Sequence, residues 1–307
     1  MIRFVLRRLA WGVPVLWLVA TLTFVLMHVV PGGPFDQEKP LPPEIKANVE
    51  AKYHLDQPVV TQYLLYLGGL VRGDLGPSYK YVGRSVSQII VDTLPVSAAL
   101  GAWAIAIAVA LGVGAGTAAA LWPDSWIDRG GMVLAVVGIS LPGFVLGALL
   151  IQLLAYDLRL FPPALWEGWR YAALPAITLG LLPGGYIARL TRSSLLEVMR
   201  KPFIRTAEAK GLSAWRVLMW HALPNAIGPV ITFLGPLTVT LITGSFVVEY
   251  IFAIPGMGRF FITAVTNRDY PLIMGVTLVY ALLIVVANLV VDLLYAWVDP
   301  RVRLEGD

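Results

Sequence analysis

A chain of 307 residues that is 58% hydrophobic and only 14% charged, with a mean hydropathy of +0.75, carries more apolar side chain than one water-soluble core of its length could cover, so the surplus calls for lipid. That balance excludes disorder, collagen-like repetition and coiled coil, and the lack of any cysteine removes disulfide frameworks, thiolate metal sites and cysteine nucleophiles together. A net charge of +4 would suggest nucleic acid in a soluble protein; in a membrane protein the basic residues are first placed relative to the bilayer, and no nucleic-acid partner is expected.

In chain order, apolar runs of spanning length, about 17–25 residues, occur near Leu9–Val30, Val96–Leu121, Met132–Tyr156, Ala172–Leu190, Ala226–Val248 and Leu272–Val298. The expected fold is all-α, a polytopic membrane protein of six transmembrane helices. The first run follows Arg3, Arg7 and Arg8 and lacks a small-residue cleavage site, so it reads as a retained anchor rather than a signal peptide. The domain map is 1–30 (N-terminal segment and first span), 31–95 (external subdomain), 96–300 (a core of five spans with a cytoplasmic loop at 191–225) and 301–307 (cytoplasmic tail).

Charge sets the orientation. Of 23 Lys and Arg, 13 lie before the first span, in 122–131, in 186–225 and after 298, while the short connections 157–171 and 249–271 hold 4. The other 6 fall in 31–95, which is long enough to escape the positive-inside rule. Both termini are therefore expected in the cytoplasm. Segment 31–95 is punctuated by Pro31, Gly32, Gly33, Pro34, Pro42 and Pro43 and carries two short helical patterns, Glu44–Tyr53 and Thr61–Val71. Its Tyr53, Tyr63, Tyr66, Tyr79 and Tyr81 suit an interfacial belt, or contact with a delivered ligand.

Helix breakers within the spans, Pro142–Gly143, Pro175, Pro183–Gly184–Gly185, Pro229 and Pro236, predict kinked helices whose freed backbone groups find partners inside a bundle. The pairs Gly112/Gly116, Gly143/Gly147 and Gly180/Gly184 permit close helix approach, for which ordinary packing is account enough.

Chemistry is sparse. No Gly-Lys dipeptide occurs, so no Walker A loop exists, and any ATP-driven step needs an ATPase on another chain. The three histidines, His28, His54 and His221, are spread too far apart to assemble a metal cluster. Ser97, Ser140 and Ser245 lack a histidine at mid-span, which argues against an intramembrane serine protease. Glu249 and Asp292 lie near helix ends and suit pairing, packing or a gate, whereas a proton-coupled carrier would hold ionisable residues at the middle of several spans. No catalytic, cofactor or metal site is expected in this chain.

The informative stretch joins spans four and five: Phe203-Ile-Arg-Thr206-Ala207-Glu208-Ala209-Lys210-Gly211-Leu212-Ser213, continuing to His221-Ala-Leu223-Pro224. Helix formers run up to Gly211, which can supply a left-handed cap, and Ser213 can open a second short helix before Pro224. The result is a helix–turn–helix elbow. Its small residues Ala207, Ala209 and Gly211 would let it press backbone-close into a partner's groove; a solvated basic loop is the alternative.

Thr206-Ala-Glu-Ala-Lys-Gly211 followed by Leu223-Pro224 resembles the EAA loop of binding-protein-dependent ABC importer permeases. Arg72-Gly-Asp-Leu-Gly-Pro-Ser78, Leu55-Asp-Gln-Pro58 with Gln62-Tyr63, Ile254-Pro-Gly-Met-Gly258, Asn267-Arg-Asp-Tyr270 and Asp299-Pro-Arg-Val-Arg303 narrow the resemblance to peptide-transporter permeases of the oligopeptide permease B type, over nearly the whole chain. The segment from Leu41 to Leu55 favours the oligopeptide branch over the dipeptide one. One departure is Glu208, standing where this branch more often has arginine.

The resemblance implies a type I importer permease in the bacterial inner membrane. It would pair with a homologous permease of C type and two cytoplasmic ATPase subunits that bind ATP and Mg, and would receive peptide from an external binding protein. Thr206, Ala207, Glu208, Ala209, Lys210, Gly211 and Leu212 would couple it to the ATPases. The same scaffold also carries dipeptides, nickel chelates or glycosides in relatives.

Overall fold

The computed structural model describes residues 2–31, 33–35, 50–242 and 244–298. Among these residues no β-strand forms, and Pro77 and Ser85 share one isolated antiparallel bridge. The helices are α1 (Ile2–Val29), α2 (Val59–Val71), α3 (Val86–Leu121), α4 (Trp126–Ser140), α5 (Gly143–Asp157), α6 (Trp169–Met199), α7 (Pro202–Ala209), α8 (Ala214–Ala226), α9 (Gly228–Ile242), α10 (Phe246–Ile251), α11 (Met257–Asn267) and α12 (Tyr270–Val298). The Glu44–Tyr53 pattern is described only from Glu50, and the motifs at 41–48 and from Asp299 onward lie outside the described residues.

Four helices, α1, α3, α6 and α12, are long and apolar enough to cross a membrane unbroken. The expected third and fifth spans are each a bent pair instead: α4 with α5, and α8 with α9, the latter turning by 54°. The first break falls at Leu141 and Pro142. Leu141 adopts extended backbone, as a residue before proline prefers. The second falls where α9 opens on Gly228-Pro229. By contrast α6 runs as one helix through Pro175 and Pro183, and α3 as one helix through Pro95. The second span also begins earlier, at Val86. Ser85 and Gln88 form a reciprocal capping box there, with Gln88 N–H donating to Ser85 Oγ at 3.2 Å and Ser85 N–H to Gln88 Oε1 at 3.1 Å.

The centre of the bundle is the α3–α6 contact, and small residues make it. A Cβ on Gly112 would sit 2.5 Å from Ile187 Cβ, one on Gly116 would collide with Ala188 and Thr191, and one on Gly180 would sit 2.7 Å from Ala104 O. Hydrocarbon solvent gives helices no hydrophobic drive to associate, so such backbone-to-backbone approach supplies the packing. Gly143, of the pair Gly143/Gly147, faces open space. Helix α1 packs on α12, and an ion pair joins Arg8 to Asp292 at 2.6 Å.

Candidate functional site

The elbow is built as a platform on the ends of α3 and α6. Pro202 occupies the first turn of α7, where its missing N–H costs nothing. The helix ends in a paired motif: Gly211 N–H donates to Glu208 O (2.9 Å) and Leu212 N–H to Ala207 O (3.4 Å), a Schellman turn that satisfies two terminal carbonyls. That turn requires a left-handed residue, and Gly211 has φ +79°. Ile204, Ala207, Val217, Leu218 and Ala222 are buried against Leu195 and Val198 of α6 and Ala120 of α3, with Leu212 half-buried beside them. The elbow and the long helices therefore share one hydrophobic cluster.

The seven residues read from the sequence divide into two faces. Ala207 points into the cluster and Leu212 flanks it, while Thr206, Glu208, Ala209, Lys210 and Gly211 are exposed. Thr206 Oγ1 donates back to Pro202 O at 3.1 Å. Of the three small residues expected to meet a partner, Ala207 anchors the elbow to its own bundle, and Ala209 and Gly211 stay open on the surface. Ser213 takes the N-cap position without a side-chain cap bond. The second helix does not stop before Pro224. It passes through it, because the π-helical turns Val217–Ala222 shift the hydrogen-bond register just ahead of the missing donor. Trp215 and Trp220, which the sequence reading did not single out, are exposed on α8.

A second missed feature ties this region to the bent span. Asp128, at the start of α4, is buried and takes a bidentate pair from Arg192 of α6, Nε to Oδ1 and Nη2 to Oδ2 both at 2.6 Å. Asp128 Oδ2 also accepts from Asp124 N–H at 3.0 Å. The planar guanidinium fork fits a carboxylate in this way, which fixes orientation as well as distance.

At the far end of the bundle, the sequence motifs meet one another. Glu249 is fully buried and its Oε2 accepts from Gly258 N–H (2.8 Å) and Arg259 N–H (3.4 Å), while Ser97 Oγ accepts from Met257 N–H (2.9 Å). Together they cap the N-terminus of α11, where a carboxylate is favoured by the orphan N–H groups and the helix dipole. Glycines at 244, 256 and 258 leave room for that carboxylate, since a Cβ on Gly244 would lie 2.5 Å from Glu249 Oε1 and one on Gly258 3.0 Å from Oε2. Asp292 stands at the opposite end, paired with Arg8. Ser140 donates to Val136 O and Ser245 caps α10, so the serines weighed as nucleophiles serve backbone groups. Among the described residues no cluster of three or more metal-ligating side chains forms.

Two family models cover the chain: "Binding-prot-dependent transport system membrane comp, N-term" matches residues 1–101 and "Binding-protein-dependent transport system inner membrane component" matches residues 96–304. The chain belongs to this family of inner membrane transport components. Its relatives include the dipeptide transport system permease protein DppB of Bacillus subtilis, 46% identical over 99% of both chains. Another is the oligopeptide transport system permease protein OppB of Haemophilus influenzae, 45% identical over 99% of this chain and 100% of the relative. OppB of Escherichia coli K12 is 44% identical over the same shares. Among solved structures, a chain of the MetNI methionine ABC transporter aligns with a TM-score of 0.58 at 15% identity, covering 69% of this chain and 97% of that one. A chain of an amino acid ABC transporter aligns at 0.52. These structural likenesses are of fold, and the fold is that of ABC importer permeases. The family component is a multi-pass helical membrane protein, as composition required.

Proposed function

We propose that this inner membrane component is one of two homologous permease subunits forming the path of an ATP-driven peptide importer. Two ABC ATPases in the cytoplasm would drive it, and an external binding protein would deliver oligopeptides. The observation that carries the reading is the elbow: a rigid helix–Schellman turn–helix whose buried face is continuous with α3 and α6 and whose exposed face is Thr206 and Glu208–Gly211. Such a surface suits transmission, because a push on it moves the ends of two long helices together. Full-length similarity to peptide permeases supports the substrate class, and dipeptide and oligopeptide relatives stand at nearly equal identity.

In this reading the elbow, both termini and the Arg8–Asp292 pair face the cytoplasm, in line with the distribution of Lys and Arg. ATP and Mg belong to the partner ATPases. ATP binding there would favour one of two arrangements of the permease pair through differential contact at Glu208 to Leu212, a population shift rather than a chemical step in this chain. The test is Gly211→Trp in the assembled importer. A Cβ at Gly211 meets nothing within 4 Å in the chain, so the substitution bears mainly on the left-handed turn and on whatever docks there. Peptide-stimulated ATP hydrolysis should fall toward its basal rate in an inserted, intact complex. Wild-type stimulation in that complex removes the coupling assignment.

A further inference from the structure

A groove of about 380 Å³ runs between α1 and α12 beneath α2, and every side chain lining it is apolar. Val13, Leu16, Trp17 and Ala20 form one wall, Leu278 and Leu282 the other, and Leu67, Leu70 and Val71 the roof. Both walls are helices that qualify as membrane spans. At about 1.5 Å per residue, the α1 wall lies roughly 14–24 Å from Val29 and the α12 wall roughly 12–18 Å from Tyr270. Both measures put the groove within a hydrocarbon layer about 30 Å thick. Water has no polar partner there, and an empty groove forfeits contacts on every wall.

The roof gives the second observation. Helix α2 buries none of its residues, yet it reads Val-Val-Thr-Gln-Tyr-Leu-Leu-Tyr-Leu-Gly-Gly-Leu-Val. Val59, Val60, Leu64, Leu65 and Val71 are exposed, Val71 at 90%. Two of its polar side chains reach α1: Tyr63 hydroxyl and Thr21 Oγ1 share a hydrogen bond at 2.7 Å, and Gln62 Oε1 and His28 Nε2 one at 3.2 Å. A helix that spends polar side chains on a spanning helix and shows aliphatic ones outward is solvated by lipid rather than water.

We propose that α2 runs lengthwise along α1 within the leaflet on the Ser78 side of the bundle, the outer one in the orientation given above, and covers a groove that holds one acyl chain of a phospholipid. The inference rests on membrane embedding and not on substrate or ATPase, so it can fail while the importer reading stands.

The cysteine-free chain makes the test direct. In the full importer in lipid nanodiscs, spin labels at Leu64→Cys and Val71→Cys should collide more with oxygen than with a water-soluble nickel chelate, as at Leu22→Cys on α1. A label at Val82→Cys, in the loop after α2, should show the reverse. Chelate preference at 64 and 71 would place α2 in water, and shielding from both reagents would place a protein partner on it; either overturns the proposal. By native mass spectrometry the wild-type importer should retain a phospholipid that Leu70→Trp and Leu282→Trp, which fill the groove from roof and wall, each lose. A wild-type complex without that lipid, or retention in a folded variant, excludes the acyl chain.

Discussion

Ser78 and Asp269, 191 positions apart in the chain, are both sealed from solvent and joined by a hydrogen bond from the Ser78 hydroxyl to Asp269 Oδ2. The bond locks the loop after α2 onto the turn between α11 and α12. Asp269 also accepts from Tyr79 N–H (3.1 Å), Lys80 N–H (3.4 Å) and Leu272 N–H (3.4 Å), and Ser78 Oγ accepts in turn from Tyr81 N–H (2.9 Å). One carboxylate thus satisfies donors from two distant segments. Asp269→Ala leaves those donors buried without an acceptor and should destabilise the protein by about 2–4 kcal/mol, with Ser78→Ala costing about 1–2. Thermal unfolding of the purified complex measures both, and equal small shifts would contradict the clamp.

Alkali should loosen the same region. Tyr79 packs against Tyr53 at a ring separation of 4.6 Å and against Phe35 at 5.8 Å. Burial pushes its phenol well above the ordinary tyrosine value, and the Asp269 carboxylate pushes it further. The folded state then holds the phenolic proton more tightly than the unfolded chain. Its contribution is complete below the unfolded value of about 10 and fades as pH rises above it. Stability should stay level up to that point and then decline, and Tyr79→Phe should flatten the decline. A variant with an unaltered alkaline limb would show that another group titrates.

Two glycines on α3 make a matched pair. Gly112 faces α6, where an added methyl would lie 2.7 Å from Gly184 O, and Gly114 faces open space. Gly112→Ala should cost about 1–3 kcal/mol through overpacking. Gly114→Ala should stay within about 1 kcal/mol of wild type, on the favourable side set by helix propensity. The folded fraction surviving a heat step in detergent, followed by size exclusion, separates them.

Orientation is open to labelling, since no native cysteine gives background. Val82, 85% exposed on the loop of the Ser78 end, should react as Val82→Cys with an impermeant maleimide added outside. Ser213→Cys on the elbow should react only once the cytoplasmic face is opened. Ser78 itself is too buried to report. Reaction of both from one side would break the arrangement of crossings.

Much of this was legible in the sequence, and the reasons are local. The unbroken spans follow from apolar length, and the elbow turn follows from Gly211, because a left-handed position after a helix selects glycine within a few residues. The motifs ending at Ser78 and Tyr270 were visible separately, but their meeting through Asp269 depends on contacts across 191 positions, which carry no local signal. Proline does not mark breaks uniformly. Pro142 breaks its span while Pro183 sits inside α6, next to Gly184 in the tight face against α3, where packing holds the helix together. The Asp128–Arg192 pair was hidden for the same reason as Asp269. Each residue alone reads as an ordinary charge at a span end, and only the fold brings the fork and the carboxylate together.

Reconstituted transport tests the central claim most directly. Proteoliposomes holding this chain, its homologous permease and the two ATPases should accumulate peptides of about three to five residues with little dependence on side chain, selection being left to the binding protein upstream. Accumulation should require both ATP inside the coupling compartment and the binding protein on the other side. Uptake of peptide driven by a proton gradient without ATP, or uptake of nickel or sugar with no peptide, would contradict the account.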